Sequence, residues 1–238
     1  MSVGIILTPD NRSKAYIQKI LKHDIVLDEI IFLNDSRIEN DVTDQMIEQS
    51  QINGFNISES VLMTLKNKKL DYKEFNFVDI NNKKLIEYIQ EKNLDFLIFT
   101  GGGILKHDIL NLRTKFIHFH PGIVPDYKGS TCFYYSMLKE NDCGVTAFIM
   151  NEGLDTGDIL YQKKFKKPNH CFVDEVYDPH IRSETLVYIF KKNLISKSKF
   201  RKQKSNSGNT YYVIHPVLKH IAILNCMSID KLSVNPIK

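Results

Sequence analysis

The chain has 238 residues, 42% of them hydrophobic and 25% charged, with a formal net charge of +4. That balance excludes a disordered chain, a collagen-like repeat and a small disulfide scaffold, and it predicts one domain with at most a modest appendage. The charge is too weak to argue for a nucleic-acid partner by itself.

Cys132, Cys143, Cys171 and Cys226 form no C-x-x-C pair and no metal-finger spacing, which fits a reduced, cytoplasmic protein. The N-terminal MSVGIILTPDNRS lacks the cationic lead and small-residue cleavage site of a signal peptide, and no stretch approaches the ~20 apolar residues of a membrane span.

Short apolar runs alternate with segments of helical period. Val3–Leu7 reads as a buried strand, followed by an amphipathic helix in SKAYIQKILK. Leu27–Leu33 is a second strand, Ser58–Leu70 a helix, YKEFNF a short strand and Asn81–Lys92 another helix. Leu94–Thr100 is a continuous apolar run that stops at Gly101-Gly102-Gly103. KFIHFHP runs as a strand into a Pro-rich loop; a helix over Cys132–Lys139 and the strands GVTAFIM and DILYQKKF follow. A long helix is expected over Phe172–Lys192. Continuous apolar strands joined by helices are covered on both faces, which is the doubly wound, mostly parallel α/β sheet. The expected core is 1–190. Residues 191–238 form a basic loop, with seven cations and no acid before the Ser/Asn/Gly linker, and a short C-terminal appendage for dimerisation or substrate contact.

Ligands of such sheets sit at the carboxyl ends of the strands. His118 and His120, at i and i+2 on a strand end, face one side of the pleat. Two imidazoles there fit a metal pair, an acid/base couple or an oxyanion donor; no third metal ligand stands at suitable spacing. The second feature runs from Gly144 to Leu160: a strand, a turn holding Asp155 between Gly153 and Gly157, and a second strand.

Together, H-x-H-P-G-x-x-P-x-Y-x-G and G-V-T-x(8)-D-T-G-x-I-L resemble the formyltransferases that use N10-formyltetrahydrofolate. The resemblance runs from about Leu94 to Gln162 and more loosely back to Met1. It implies that His120 and Asp155 take the places of the catalytic His and Asp, with N10-formyltetrahydrofolate as co-substrate and no metal. Formyl transfer needs an oxyanion donor and a group that removes the amine proton. His118 stands where the family carries Asn. The resemblance then implies that a charged His118 imidazole replaces the amide as oxyanion donor, with activity that depends on pH near neutrality. Gly102 and Gly103 would open backbone groups to the pterin, Ile104 and Leu105 would wall it, and Gly153 and Leu154 of the Asp155 turn would also contact the folate.

Thr8-Pro9-Asp10-Asn11-Arg12 has no glycine-rich phosphate loop of the glycinamide-ribonucleotide type. The region after Lys166 is shorter than the C-terminal domain of the tRNA enzymes, and Met1 already opens the first strand, unlike the formyltetrahydrofolate hydrolases. What remains resembles the sugar N-formyltransferases, with a nucleotide-linked amino sugar as acceptor, a homodimer, and neither a membrane nor a nucleic-acid partner. Tyr127 and Lys128 are the candidate substrate contacts. A tRNA-type enzyme and an impaired folate-binding relative are the alternatives.

Overall fold

A computed structural model describes residues 1–35, 41–77, 79–101, 103–197, 199–204 and 207–227. Strands β1 (Val3–Leu7), β2 (Glu29–Leu33), β3 (Lys73–Phe75), β4 (Phe96–Phe99) and β5 (Lys115–His120) pair in parallel in the order β3-β2-β1-β4-β5. After β6 (Tyr127–Gly129), strands β7 (Asp142–Ile149) and β8 (Ile159–Lys166) add antiparallel beyond β5 and complete a seven-stranded sheet. The expected mostly parallel, Rossmann-like sheet is the fold. Chain order reverses beside β1, so ligands belong at the ends of β1 and β4.

Helices cover both faces: α1 (Asn11–Lys22), α2 (Asp44–Ile52), α3 (Val61–Asn67), α4 (Lys83–Lys92), α5 (His107–Leu110) and α6 (Cys132–Glu140). Asp10 caps α1 by accepting from Ser13 N at 2.7 Å, and Ser60 caps α3 by accepting from Met63 N at 3.1 Å. The extended Asp10 cap starts α1 two residues before the expected SKAYIQKILK, while the extended Ser60 cap trims the helix expected over Ser58–Leu70. α2 and α5 had no strong apolar stripe to announce them. The expected helix over Phe172–Lys192 is a π-turn, Val173–Tyr177, running into α7 (Asp178–Lys191). Pro179 lacks an N–H and fits only the first turn of a helix, so α7 starts there.

The pleat of β5 divides the core. Ile117 and Phe119 turn to one face, where Phe119 meets Tyr16 edge-on at 5.7 Å among α1, α3 and α7 residues. Phe116 turns to the other, against Leu85, Ile89 and Ile109 of α4 and α5.

After α8 (Leu194–Lys197), the C-terminal chain returns to the core. Arg201 exchanges backbone hydrogen bonds with Ile159, both 2.8 Å. β9 (Asn209–Tyr211) pairs in parallel with β6, and α9 (Pro216–Leu224) lies against α6, where Cys226 Sγ meets Met137 Sδ at 3.6 Å.

Candidate active site

The switch in strand order is stitched by hydroxyls. Ser13 Oγ lies 2.8 Å from Thr100 Oγ1 and accepts from Thr8 N at 3.0 Å, while Thr100 donates to Ile6 O at 2.8 Å. These bonds hold the end of β4 against the start of α1 and set Arg12 at the edge of the site. Asp10 Oδ2 stands 3.5 Å from the Arg12 guanidinium, and a Cβ at Gly101 would lie 3.2 Å from the same oxygen.

On β5, register places His118 between Phe99 of β4 and Phe148 of β7. Its ring centroid is 6.0 Å from that of Phe99, 5.8 Å from Phe148 and 6.4 Å from His120. Burial among these rings, with Arg182, His120 and Arg12 repelling a further positive charge, holds His118 well below the ordinary imidazole range. His118 is therefore neutral at pH 7. This corrects the expectation of a charged electrophile and of a His118-linked pH dependence near neutrality, because the half-buried ring packs between Phe99 and Phe148 and faces the Arg182 and Arg12 cations. Nδ1 lies 3.4 Å from Phe99 O, a long contact that favours the proton on Nδ1 and leaves the Nε2 lone pair free.

His120 is buried. Its Nε2 donates to Tyr127 O at 2.9 Å, and Nδ1 faces Asp155 Oδ2 at 3.4 Å. Burial draws this imidazole down, while the Asp155 carboxylate pulls the other way. With Nε2 donating, a neutral His120 turns its lone pair to a carboxylate, so the pair is set to take up one proton between them. Asp155 adopts φ +51°, left-handed, and its Oδ2 accepts from Gly129 N at 2.6 Å.

Two cavities meet at these groups. The first, of about 480 Å3, runs under the end of β4 and is walled by Phe99, Gly103, Ile104, Leu105, Gly153 and Leu154. Ile104 is 84% and Leu154 58% exposed, apolar side chains left open to a ligand. The second, of about 390 Å3, lies between His120, the Gly129–Thr131 loop and α7. Arg12, His118, Leu154 and Asp155 line both.

The structure thus brings His118, His120, Asp155, Gly103, Ile104, Leu105, Gly153 and Leu154 to one place. Gly102 lies outside the described residues. Tyr127 and Lys128 point elsewhere: the buried Tyr127 donates to Glu140 Oε1 at 2.7 Å and stacks on Tyr211, and Lys128 donates to Ser207 O at 2.8 Å. Both tie the C-terminal chain to the core, so neither side chain lines the second cavity.

Sequence reasoning passed over Arg12, Asp178 and Arg182. Arg182 Nε donates to Asp178 Oδ1 at 2.7 Å, its Nη1 donates to Phe119 O, and both side chains are buried. An i,i+4 pair on α7 was visible in the sequence, but such pairs usually face solvent. Arg12 lies in the first turn of α1, past the loop that ends β1, and no motif in the sequence singles it out. Among the described residues no cluster of three or more His, Cys, Asp or Glu side chains is arranged to hold a metal, and no helix is long and apolar enough to cross a membrane.

The sequence profile described as "Formyl transferase" matches residues 40–188, more than half of the chain. The chain belongs to the formyl transferase family. The chain is 31% identical over 103 residues to the methionyl-tRNA formyltransferase of Finegoldia magna, a match covering 42% of the chain and 33% of that relative. The chain thus spans about a third of the length of such curated relatives. Its fold is similar to that of a sugar N-formyltransferase from Shewanella sp FDAARGOS_354, with TM-score 0.60 and 16% identity over 96% of this chain and 89% of that one. It is also similar to WlaRD, a sugar 3N-formyl transferase crystallised in the presence of dTDP and 5-N-formyl-THF, with TM-score 0.58 and 20% identity over 95% and 78% of the two chains.

Proposed function

We propose that this formyl transferase moves the formyl group of N10-formyltetrahydrofolate to the amine of a nucleotide-linked amino sugar. The observation that carries the reading is the meeting of two cavities on His118, Asp155, Arg12 and Leu154. A donor in one and an acceptor in the other would address the same catalytic groups. The apolar walls Ile104, Leu105 and Leu154 suit the flat rings of a folate. With this reading go a cytoplasmic location, a homodimer through residues 191–238 and a place in surface-polysaccharide synthesis.

The amine nitrogen attacks the formyl carbon, the carbonyl oxygen takes up negative charge, and the C–N10 bond then breaks. His118 contacts the oxyanion as a neutral donor, with its proton moved to Nε2. Giving up the 3.4 Å contact to Phe99 O costs little, because so long a bond is weak. His120 and Asp155 take the proton that the attacking amine must lose. N10 needs one proton as it leaves, so the step closes without any other reactant.

A second reading is favoured by the curated sequence relatives, which are methionyl-tRNA formyltransferases. The deciding experiment offers the protein N10-formyltetrahydrofolate with nucleotide-linked 3-amino and 4-amino sugars and, separately, with methionyl-tRNA, and weighs the products by mass spectrometry. A sugar heavier by one formyl group is the expected result. Formylation of the tRNA alone would overturn the sugar reading. Folate binding without product from either would mark an impaired enzyme.

A further inference from the structure

The turn that aims Asp155 is only partly held by its own hairpin. Asp155 has φ +51°, a backbone state disfavoured for an L-residue unless its surroundings fix it. Within the hairpin, Asn151 Oδ1 accepts from Gly153 N at 3.1 Å and Thr156 Oγ1 at 2.9 Å, and Ile149 N donates to Asp158 O at 2.9 Å, and none of these bonds uses an atom of Asp155. The carbonyls of Asp155 and Gly157 are taken instead by one distant side chain. Gln203 Nε2 donates to Asp155 O at 3.0 Å and to Gly157 O at 2.7 Å. Its two amide hydrogens are both spent on the turn.

Gln203 sits in the most basic stretch of the chain, and Arg201, Lys202 and Lys204 around it are exposed while Gln203 turns inward. The segment is seated independently of that amide. Arg201 pairs its backbone with Ile159 at 2.8 Å in both directions, and its guanidinium donates to Gln162 Oε1. From the other side, Gly129 N donates to the Asp155 carboxylate, and β6, which carries Gly129, is paired with β9 further along the same segment. The C-terminal chain therefore grips the turn twice: at its carbonyls through Gln203, and at its carboxylate through the strand that β9 supports.

We infer that Gln203 is a positioning residue, whose amide locks the left-handed turn so that the Asp155 carboxylate stays on Gly129 N and His120. The inference rests on the formyl-transfer reading for its catalytic consequence, though not for its geometry. It gives the basic segment a role that needs none of its charges.

The test compares Gln203→Ala and Gln203→Glu with the wild-type full chain. The Glu variant keeps the shape but sets a carboxylate against two carbonyl oxygens. Freed from Gln203, the carboxylate leaves Gly129 N, and exchange of the Gly129 amide in NMR is expected to quicken about tenfold or more while amides of β4 keep their protection. In formyl transfer, kcat is expected to fall about ten- to a hundredfold with KM for the formyl donor within about threefold, the pattern of a group needed in the transition state. The charged and titratable groups around His120 are Asp155 from the hairpin, Arg182 and Asp178 from α7, and His118 from its own strand, with Arg12 and Asp174 lining the same cavity. Of these, the variants move only Asp155. Its carboxylate favours the protonated imidazole, so losing it shifts the acid limb of kcat to lower pH. Unchanged Gly129 exchange in both variants overturns the inference, whatever happens to the melting temperature. So does an unchanged kcat and acid limb. A wild-type protein that forms no product with any acceptor defeats the formyl-transfer reading, and Gly129 exchange still decides Gln203.

Discussion

Gly122 lies directly beneath the imidazole of His120: a Cβ built at position 122 would stand 2.8 Å from His120 Nε2. The same atom would meet Tyr127 O at 2.8 Å and Cys132 Cβ at 2.9 Å. It would fall on both ends of the bond that orients the ring. Gly122→Ala is therefore expected to displace His120 and lower kcat by about a hundredfold or more, the scale of losing one oriented catalytic group. Kinetics on the variant, with circular dichroism to show the sheet intact, checks this.

His118 is neutral, and its Nδ1 proton is drawn toward Phe99 O. Asparagine presents a permanent donor with no tautomer to exchange. His118→Asn should raise kcat at pH 7, by about tenfold at most, and the ratio of variant to wild type should stay constant from pH 6 to 8. A ratio that falls toward pH 6 would mean that wild type gains from a charged His118, against the burial of this ring.

Ile104 and Leu154 face solvent and contribute little to the fold, yet both wall the first cavity. Covering one such side chain with a ligand is worth about 1.5 kcal/mol or more, or about tenfold in affinity. Ile104→Ala and Leu154→Ala should each weaken folate binding by about that factor in calorimetry, with melting temperatures unchanged. Lys128→Met, by contrast, should leave the KM of the acceptor within about twofold, because its ammonium is committed to Ser207 O.

Arg182 and Asp178 are a buried pair beside His120. Arg182→Met leaves the Asp178 carboxylate buried without its partner, a change that costs about 3–5 kcal/mol. Urea unfolding should show this loss. The double variant Arg182→Met/Asp178→Leu should recover much of the stability but not the activity, since the Phe119 O contact that backs β5 is gone in both.

Acid stability should follow His180. Burial and the Lys19 ammonium, 2.9 Å from its Nδ1, hold His180 down at about 4 against 6.5 for a free imidazole. As pH falls below 6.5 the unfolded chain takes up the proton first, so stability is full above about 6.5 and is lost as pH drops toward 4. Melting temperature against pH should show this slope, and His180→Asn should flatten it.

Much of the site was legible because its residues lie close in sequence. His118 and His120 share one strand face, and Asp155 falls between two glycines in one hairpin, so local patterning and a family motif exposed them. Arg12, Arg182 and Gln203 carry no such local mark. Each reaches the site from another part of the chain, and only packing shows which cation or amide is turned inward. Tyr127 and Lys128 also stand next to the site in sequence, but their side chains are taken by Glu140 and Tyr211 and by Ser207 O.

By itself, the sequence determined the alternation of strands and helices, the doubly wound sheet and the family, because apolar period and strand-end motifs are local properties. The tertiary structure alone decided the charge state of His118, which depends on Phe99, Phe148 and Arg182 from three other elements. It also decided that the C-terminal segment braces the Asp155 turn. Burial and long-range hydrogen bonds set both, and neither exists until the chain has folded.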